Sequence, residues 1–285
     1  MRDPVAEPDA IGGGGVLPER AYIAWIGCGG CDGCTMSVLG AVAPTLEELL
    51  AGRLTNFPRV ELLHPVLSLA SGKEYVGRLE AALAGALDPF LLVVEGSLFD
   101  QALAGEGSFS RLGERGDEPI AAEEWVRSLA PRATAVIAIG TCATWGGIPA
   151  AAGNVTGATG LGTFLGPDFR SSGGLPIVNV PGCAPSGDAF IETLAYVFLH
   201  LAGLVPLELD EMGQPRWLYS SATPLKAQQL PSRSGGRDAG ENAMCPVPER
   251  GWINRVGGCA DVGGACNGCT RPDFPDRLLP LVRPD

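Results

Sequence analysis

The chain predicts an α/β fold, a doubly wound parallel sheet followed by a small loop-rich C-terminal unit. Two observations carry this expectation. Short, almost wholly apolar runs such as FLLVVEGS (90–97) alternate with stretches of helical periodicity over residues 21–205. From about residue 206 the periodicity stops and turn formers accumulate. Fully apolar runs of strand length are the mark of strands buried on both faces of a parallel sheet.

The elements follow in order. Residues 1–20 are rich in Gly and Pro and predict a flexible tail. AYIAWIG (21–27) is the first strand, and TMSVLGAVAPTLEELLAG the helical segment after it, broken or restarted at Pro44. VELLHP (60–65) is the second strand, EYVGRLEAALAGAL the next helix, and FLLVVEGS the third strand. EPIAAEEWVRSLA opens with acidic residues, as helices do, and precedes the fourth strand TAVIAIGTC (134–142). PIVNVPGC (176–183) is the fifth strand, and SGDAFIETLAYVFLHLAG a helix with Ser186 or Asp188 as its cap. This alternation predicts a flavodoxin-like sheet, which binds ligands beyond the carboxyl ends of its strands. Residues 206–285 have too few apolar residues for a core of their own, so bound metal would have to supply folding energy there.

Composition narrows the function. The 285 residues carry a formal net charge of −12, which disfavours nucleic-acid partners. The most apolar stretch is interrupted by Glu192 and His200, short of the roughly 18 uninterrupted residues expected of a spanning helix. No transmembrane helix is therefore expected. The N-terminus has neither a basic start nor an apolar core and shows no twin arginine, so a cytoplasmic location is expected, with any membrane association made through a partner.

Nine cysteines are the informative feature. GCGGCDGCTMS places Cys28, Cys31 and Cys34 at three-residue intervals, and GGCADVGGACNGC places Cys259, Cys266 and Cys269. Cys142, Cys183 and Cys245 stand singly beside Gly or Pro. An odd count without an export signal disfavours structural disulfides. Cys-x-x-Cys pairs on Gly-rich loops suit iron–sulfur clusters, with zinc as the rival. The scattered Cys142 and Cys183 weigh against a zinc ribbon, whose ligands come from two close pairs. The predicted topology brings the first cysteine loop, Cys142 and Cys183 to one edge of the sheet.

These residues resemble the small subunit of nickel–iron hydrogenases over about residues 21–275. The resemblance rests on Cys31 and Cys34 after the first strand, GTCATWGG with Cys142, PGC with Cys183, VEGS around Glu95, and CNGCTRPDFPD near the C-terminus. It implies a proximal 4Fe–4S cluster held by Cys31, Cys34, Cys142 and Cys183, facing the nickel–iron site of a separate large subunit. It implies a medial cluster on Cys245, Cys259, Cys266 and Cys269, 4Fe–4S in type, or 3Fe–4S if Cys259 is not a ligand. Three features depart from the family pattern. Cys28 is extra and either replaces Cys31 by a slip of register or is a buried non-ligand thiol, the reading preferred here. Cys259 stands where many relatives have Pro. No Cys lies between Cys183 and Cys245 and the only His there is His200, so a third, distal cluster is not expected. Gly33 and Gly147 stand where some oxygen-tolerant relatives carry extra cysteines.

Around the clusters, Glu95 reads equally as a proton-handling group at the subunit contact and as an anchor for loop amides. Thr141 and Trp145 are expected close behind the ligands. His64 reads as a turn residue, and His200 as a core or interface residue. The resemblance implies an oxidoreductase subunit that passes electrons between the partner's nickel–iron site and an external acceptor, with no bond chemistry of its own. A further redox subunit or soluble carrier is the expected second partner. Two other functions remain open at the level of sequence. One is the cluster-bearing subunit of a quinone-reducing complex, whose relatives carry adjacent cysteines where this chain has Cys31-Asp32-Gly33-Cys34. The other is a hydrogen-sensing module.

Overall fold

The computed structural model describes residues 17–54, 57–68, 72–219, 245 and 268–276. Its centre is a five-stranded, all-parallel sheet of β1 (Arg20–Gly27), β2 (Arg59–Leu63), β3 (Phe90–Glu95), β6 (Ala135–Ile139) and β7 (Val178–Val180), in the order β2-β1-β3-β6-β7. The two-residue strands β4 (Glu114–Arg115) and β5 (Glu118–Pro119) form a separate antiparallel hairpin. The main order is the flavodoxin-like one, with its switch point between β1 and β3, where ligands of such sheets bind.

Side-chain alternation divides the core into two layers. From β1, Ile23 and Trp25 face one layer, while Ala24 and Ile26 face the other. β3 is buried along its whole length, with Leu91 and Val93 on the first side and Phe90, Leu92 and Val94 on the second. The first layer is closed by α1 (Gly33–Leu39), α2 (Leu46–Leu50) and α7 (Gly187–Leu201), and the second by α3 (Lys73–Leu83) and α4 (Ala122–Leu129). Leu218 and Tyr219, on α8 (Arg216–Tyr219), are fully buried in the first layer. The stretch 206–219, which the sequence assigns to the C-terminal unit, thus adds side chains to the α/β core.

Several boundaries differ from the sequence expectation. The segment after β1 does break before Pro44, and α2 restarts on a capping box in which Thr45 and Glu48 bond each other's backbone. Ser186 stands at the N-cap position of α7, as expected, but its side chain makes no capping bond, and Asp188 lies within the first turn. Asp188 instead accepts the backbone N–H groups of Val42 (2.7 Å) and Ala43 (3.0 Å), a contact about 145 residues away in sequence that local reading cannot reveal. Cys142 does not end a strand: β6 stops at Ile139 and Gly140 opens the short helix α5 (Gly140–Trp145). Cys183 follows β7 by three residues. Among the described residues no helix is long and apolar enough to cross a membrane.

Candidate cluster site

The loop after β1 is built against the end of β3. Cys28 N–H donates to Glu95 O (2.7 Å), and Gly29 and Ser97 exchange backbone bonds at 2.8 and 2.9 Å. This close approach requires glycine at position 96, which has φ +88° and where a Cβ would lie 2.8 Å from the Gly29 carbonyl carbon. The same turn sends Cys31 and Cys34 towards the switch point. From β6, Gly140 at φ +84° swings the chain into α5, and a Cβ there would stand 2.3 Å from Cys34 Sγ. The Cys142 loop and the Cys183 loop are tied together by Thr141 N–H to Gly182 O (3.0 Å) and Gly182 N–H to Thr141 Oγ1 (2.9 Å). Ser37 Oγ donates to Pro185 O (2.5 Å) and ties the Cys34 helix to the Cys183 loop.

These ties bring Cys31, Cys34, Cys142 and Cys183 together. Burial pushes the Cys34 thiol far above its ordinary range, and Glu95, Cys142, Cys31 and Cys183 push it further. Cys142 is raised first by burial and also by Cys31 and Glu95, against the pull of the Ile148 N–H and the Ser97 side chain. Cys183 is raised by burial, then by Cys142 and Cys31. Cys31 and Cys183 are exposed, whereas Cys34 and Cys142 are half-buried, so the group opens at the sheet edge.

Cys28 does not join them. It packs against the second core layer, and its thiol is pushed well up by burial and then by Glu123. The geometry favours the buried, non-ligand reading of this residue over a slip of register.

The donor set fits an iron–sulfur group. Burial raises the Cys34, Cys142 and Cys183 thiols, and a positive metal core would draw them into the thiolate form that binds it. Among the described residues no three His, Cys, Asp or Glu side chains stand close enough for a single ion. Glycines line the sulfurs: a Cβ at Gly147 would lie 2.9 Å from Cys142 Sγ, and one at Gly33 3.2 Å from Cys31 Sγ. The fully buried Ser186 Oγ, three residues after Cys183, has no protein partner among the described residues.

Behind the thiols lies a polar network that the sequence only partly foretold. Glu95 is buried, and its carboxylate accepts from Trp25 Nε1 (3.1 Å), Cys34 N (3.0 Å), Thr35 N (3.2 Å) and Thr35 Oγ1 (2.5 Å). Of its two readings, the loop anchor is the one the hydrogen bonds display. Charge-assisted bonds of this kind offset the cost of burying a carboxylate. His64 Nδ1 accepts from Val66 N (3.0 Å) and Leu67 N (3.2 Å), so its proton sits on Nε2 and points to Thr35 Oγ1 at 3.0 Å. His64 is therefore a turn residue and also a buttress of the cysteine loop. Trp25 and Thr35 were not singled out by sequence; the adjacency of Thr35 to Cys34 was the available signal. His200 Nδ1 accepts from Leu207 N (3.1 Å) and has no part in the site.

Burial lowers the His64 pKa from 6.5 to about 4, partly countered by Asp32. A folded-state pKa below the unfolded one means that the unfolded chain takes up a proton first. Stability is then full above pH 6.5 and falls as pH drops from 6.5 towards 4. Near pH 5 the loss amounts to about 2 kcal/mol. Denaturant unfolding at pH 7 and pH 5 is expected to show this difference in the native chain and to show it reduced in His64→Gln.

The second cysteine group is described only in part. Cys259 and Cys266 lie outside the described residues. Cys245 and Cys269 both raise the phenol of the buried Tyr219, after burial itself, which puts the two near one side chain. Thr141 Oγ1 donates to Cys269 O, and Trp145 Nε1 to Thr270 O (3.1 Å).

Comparison with known proteins agrees with this geometry. The family model described as "NADH ubiquinone oxidoreductase, 20 Kd subunit" matches residues 31–197. The structure of an actinobacterial-type nickel–iron hydrogenase from Ralstonia eutropha H16 superposes with a TM-score of 0.85 at 40% identity, over 93% of this chain and 83% of that one. The periplasmic [NiFeSe] hydrogenase small subunit of Desulfomicrobium baculatum is 30% identical over 92% of this chain and 87% of its own length. The hydrogenase-2 small chain of Escherichia coli K12 is 33% identical over 79% of this chain and 54% of its own. The four converging thiols thus stand in a chain that belongs to the family this model describes and, within it, to the hydrogenase small subunits.

Proposed function

We propose that this chain holds two 4Fe–4S clusters and passes electrons between the nickel–iron site of a large subunit and an external acceptor. The convergence of Cys31, Cys34, Cys142 and Cys183 at the switch point of the sheet carries the reading. Hydrogenase small subunits carry iron–sulfur clusters and pair with a large subunit that contains the catalytic site. The finer assignment gives those four thiols to the proximal cluster and Cys245, Cys259, Cys266 and Cys269 to the medial one.

When bound, each cluster takes up and returns single electrons at a potential set by its charge, hydrogen bonds and burial. The chain's own residues fix where that happens. Glu95 holds the Cys34 and Thr35 amides, so the first cysteine loop is ordered before any metal arrives. The pair of bonds between Thr141 and Gly182 keeps the Cys142 and Cys183 loops at one spacing. Buried apolar strands behind the thiols exclude water from the inner side. Exposed Cys31 and Cys183 mark the side that the large subunit covers. Around that edge, Met36, Leu39, Val42, Val66 and Ile148 are exposed apolar residues suited to an obligate interface.

A smaller interface near Cys245–Cys269, for a redox subunit or soluble carrier, completes the route.

Cys259→Pro tests the medial assignment. Anaerobically purified Cys259→Pro protein is expected to show a 3Fe–4S signal on oxidation in electron paramagnetic resonance, and the native protein to lack it. A stoichiometric 3Fe–4S signal in the native protein would remove Cys259 from the ligands.

A further inference from the structure

The helix α5 carries more than one proximal thiol. It has six residues, with Cys142 on it and Thr141 and Trp145 one helical turn apart on a shared face. Both capacities of the Thr141 hydroxyl are used, and by different partners. It accepts from Gly182 N–H (2.9 Å), next to Cys183, and donates to the backbone carbonyl of Cys269. Trp145 Nε1 donates to the next carbonyl, that of Thr270, at 3.1 Å. Two successive carbonyls of the C-terminal segment are therefore gripped by two side chains that flank Cys142. A third tie lies farther out, where Ala152 N–H donates to Asp276 Oδ1 at 2.7 Å.

We propose that α5 is the spacer between the two cysteine sets, with Thr141 and Trp145 as positioning residues that hold the Cys269–Thr270 backbone at a fixed distance from the Cys142 thiol. The proposal rests on the two-cluster reading above and adds the element that sets their separation. Thr141 is suited to the part: its hydroxyl is a node joined covalently to Cys142 and by hydrogen bonds to the Cys183 loop and to Cys269. The β-branched side chain is stiff at χ1, and the residue is 1% exposed, so water does not compete for these bonds.

Tyr219 gives independent support. It is fully buried, donates to Pro181 O (2.8 Å) just ahead of Cys183, and feels Cys245, Cys269 and Cys34 together. One buried side chain thus lies near members of both sets. One-electron exchange, in which one group is oxidised as the other is reduced, falls steeply with separation. A spacer that fixes the distance therefore fixes the rate.

The test uses the complex with its large subunit, purified anaerobically, in native, Thr141→Val, Thr141→Ser and Trp145→Phe forms. Val matches the shape of Thr and lacks the hydroxyl, whereas Ser keeps the hydroxyl. Trp145→Phe, which leaves the bonds between Thr141 and Gly182 in place, is expected to retain its iron and its hydrogen–deuterium exchange at nickel. The paramagnetic resonance spectrum of Thr141→Val in the reduced state should lose or weaken the splitting produced by interaction between the two clusters. Hydrogen-dependent viologen reduction should slow several-fold. Thr141→Ser should restore both, and Trp145→Phe should weaken the splitting in the same direction. Native splitting and rate in both Thr141→Val and Trp145→Phe would overturn the proposal. So would a Thr141→Ser protein as impaired as Thr141→Val, or loss of iron from Thr141→Val with splitting unaltered in Trp145→Phe. Native protein devoid of iron would be a different result, refuting the two-cluster reading itself.

Discussion

Cys183→Ala is expected to abolish hydrogen-dependent dye reduction while hydrogen–deuterium exchange by the complex persists. The first activity needs electrons to leave through this chain, and the second needs only the nickel–iron site in the partner. Cys183 stands on the exposed side of the four-thiol group and is coupled electrostatically to Cys142 and Cys31. Its loop is held by two bonds to Thr141 and one to Ser37. The backbone cage would therefore survive the loss of the sulfur. Changes behind metal ligands commonly cost about 10–100-fold, and loss of a ligand should exceed about 100-fold in electron delivery. Cys28→Ala is the matched control, since that thiol packs in the second core layer away from the group. Equal losses from both substitutions would contradict the assignment, as would dye reduction near the native rate in Cys183→Ala.

The other large effect concerns assembly. The double substitution Met36→Glu with Val66→Glu is expected to separate this chain from its nickel-bearing partner. Met36 on α1 is 63% exposed, and Val66, just beyond β2, is 73% exposed. Both lie at the carboxyl edge of the sheet with the four thiols. His64 links the Val66 turn to Thr35 on α1, so the two surfaces form one rigid rim. Isolated charges trapped in an obligate interface are costly, of the order of several kcal/mol each. The residues are exposed in the chain alone, so its own fold should tolerate the change. Leu204→Glu, after α7 at the opposite edge and 50% exposed, should leave the complex intact. Nickel recovered with the double variant in native proportion would show that the large subunit docks elsewhere.

The sequence reveals the sheet well because its strands are unambiguous. FLLVVE has no polar residue before Glu95 and can only be buried on both faces. The edge on which the cysteines meet also follows from alternation and topology. Where expectation and structure part, a distant partner is usually responsible. Asp188 resembles a cap until Val42 and Ala43 claim it. Cys142 resembles a strand end because the apolar run continues to it, yet Gly140 at positive φ turns the chain into a helix one residue after the strand. Glu95 leaves two readings open because its four donors come from residues 60 or more positions away. His64 shows only its turn in the sequence, since the bond to Thr35 depends on the pairing of β1 with β2.

The central claim is that this chain holds two four-iron clusters. Iron and acid-labile sulfide analysis of the anaerobically purified native protein tests it most directly. The account predicts about eight iron and eight sulfide per chain, with zinc absent. Zinc in place of iron would contradict it outright. About eleven or twelve iron atoms per chain would contradict it in another way, by requiring a third cluster.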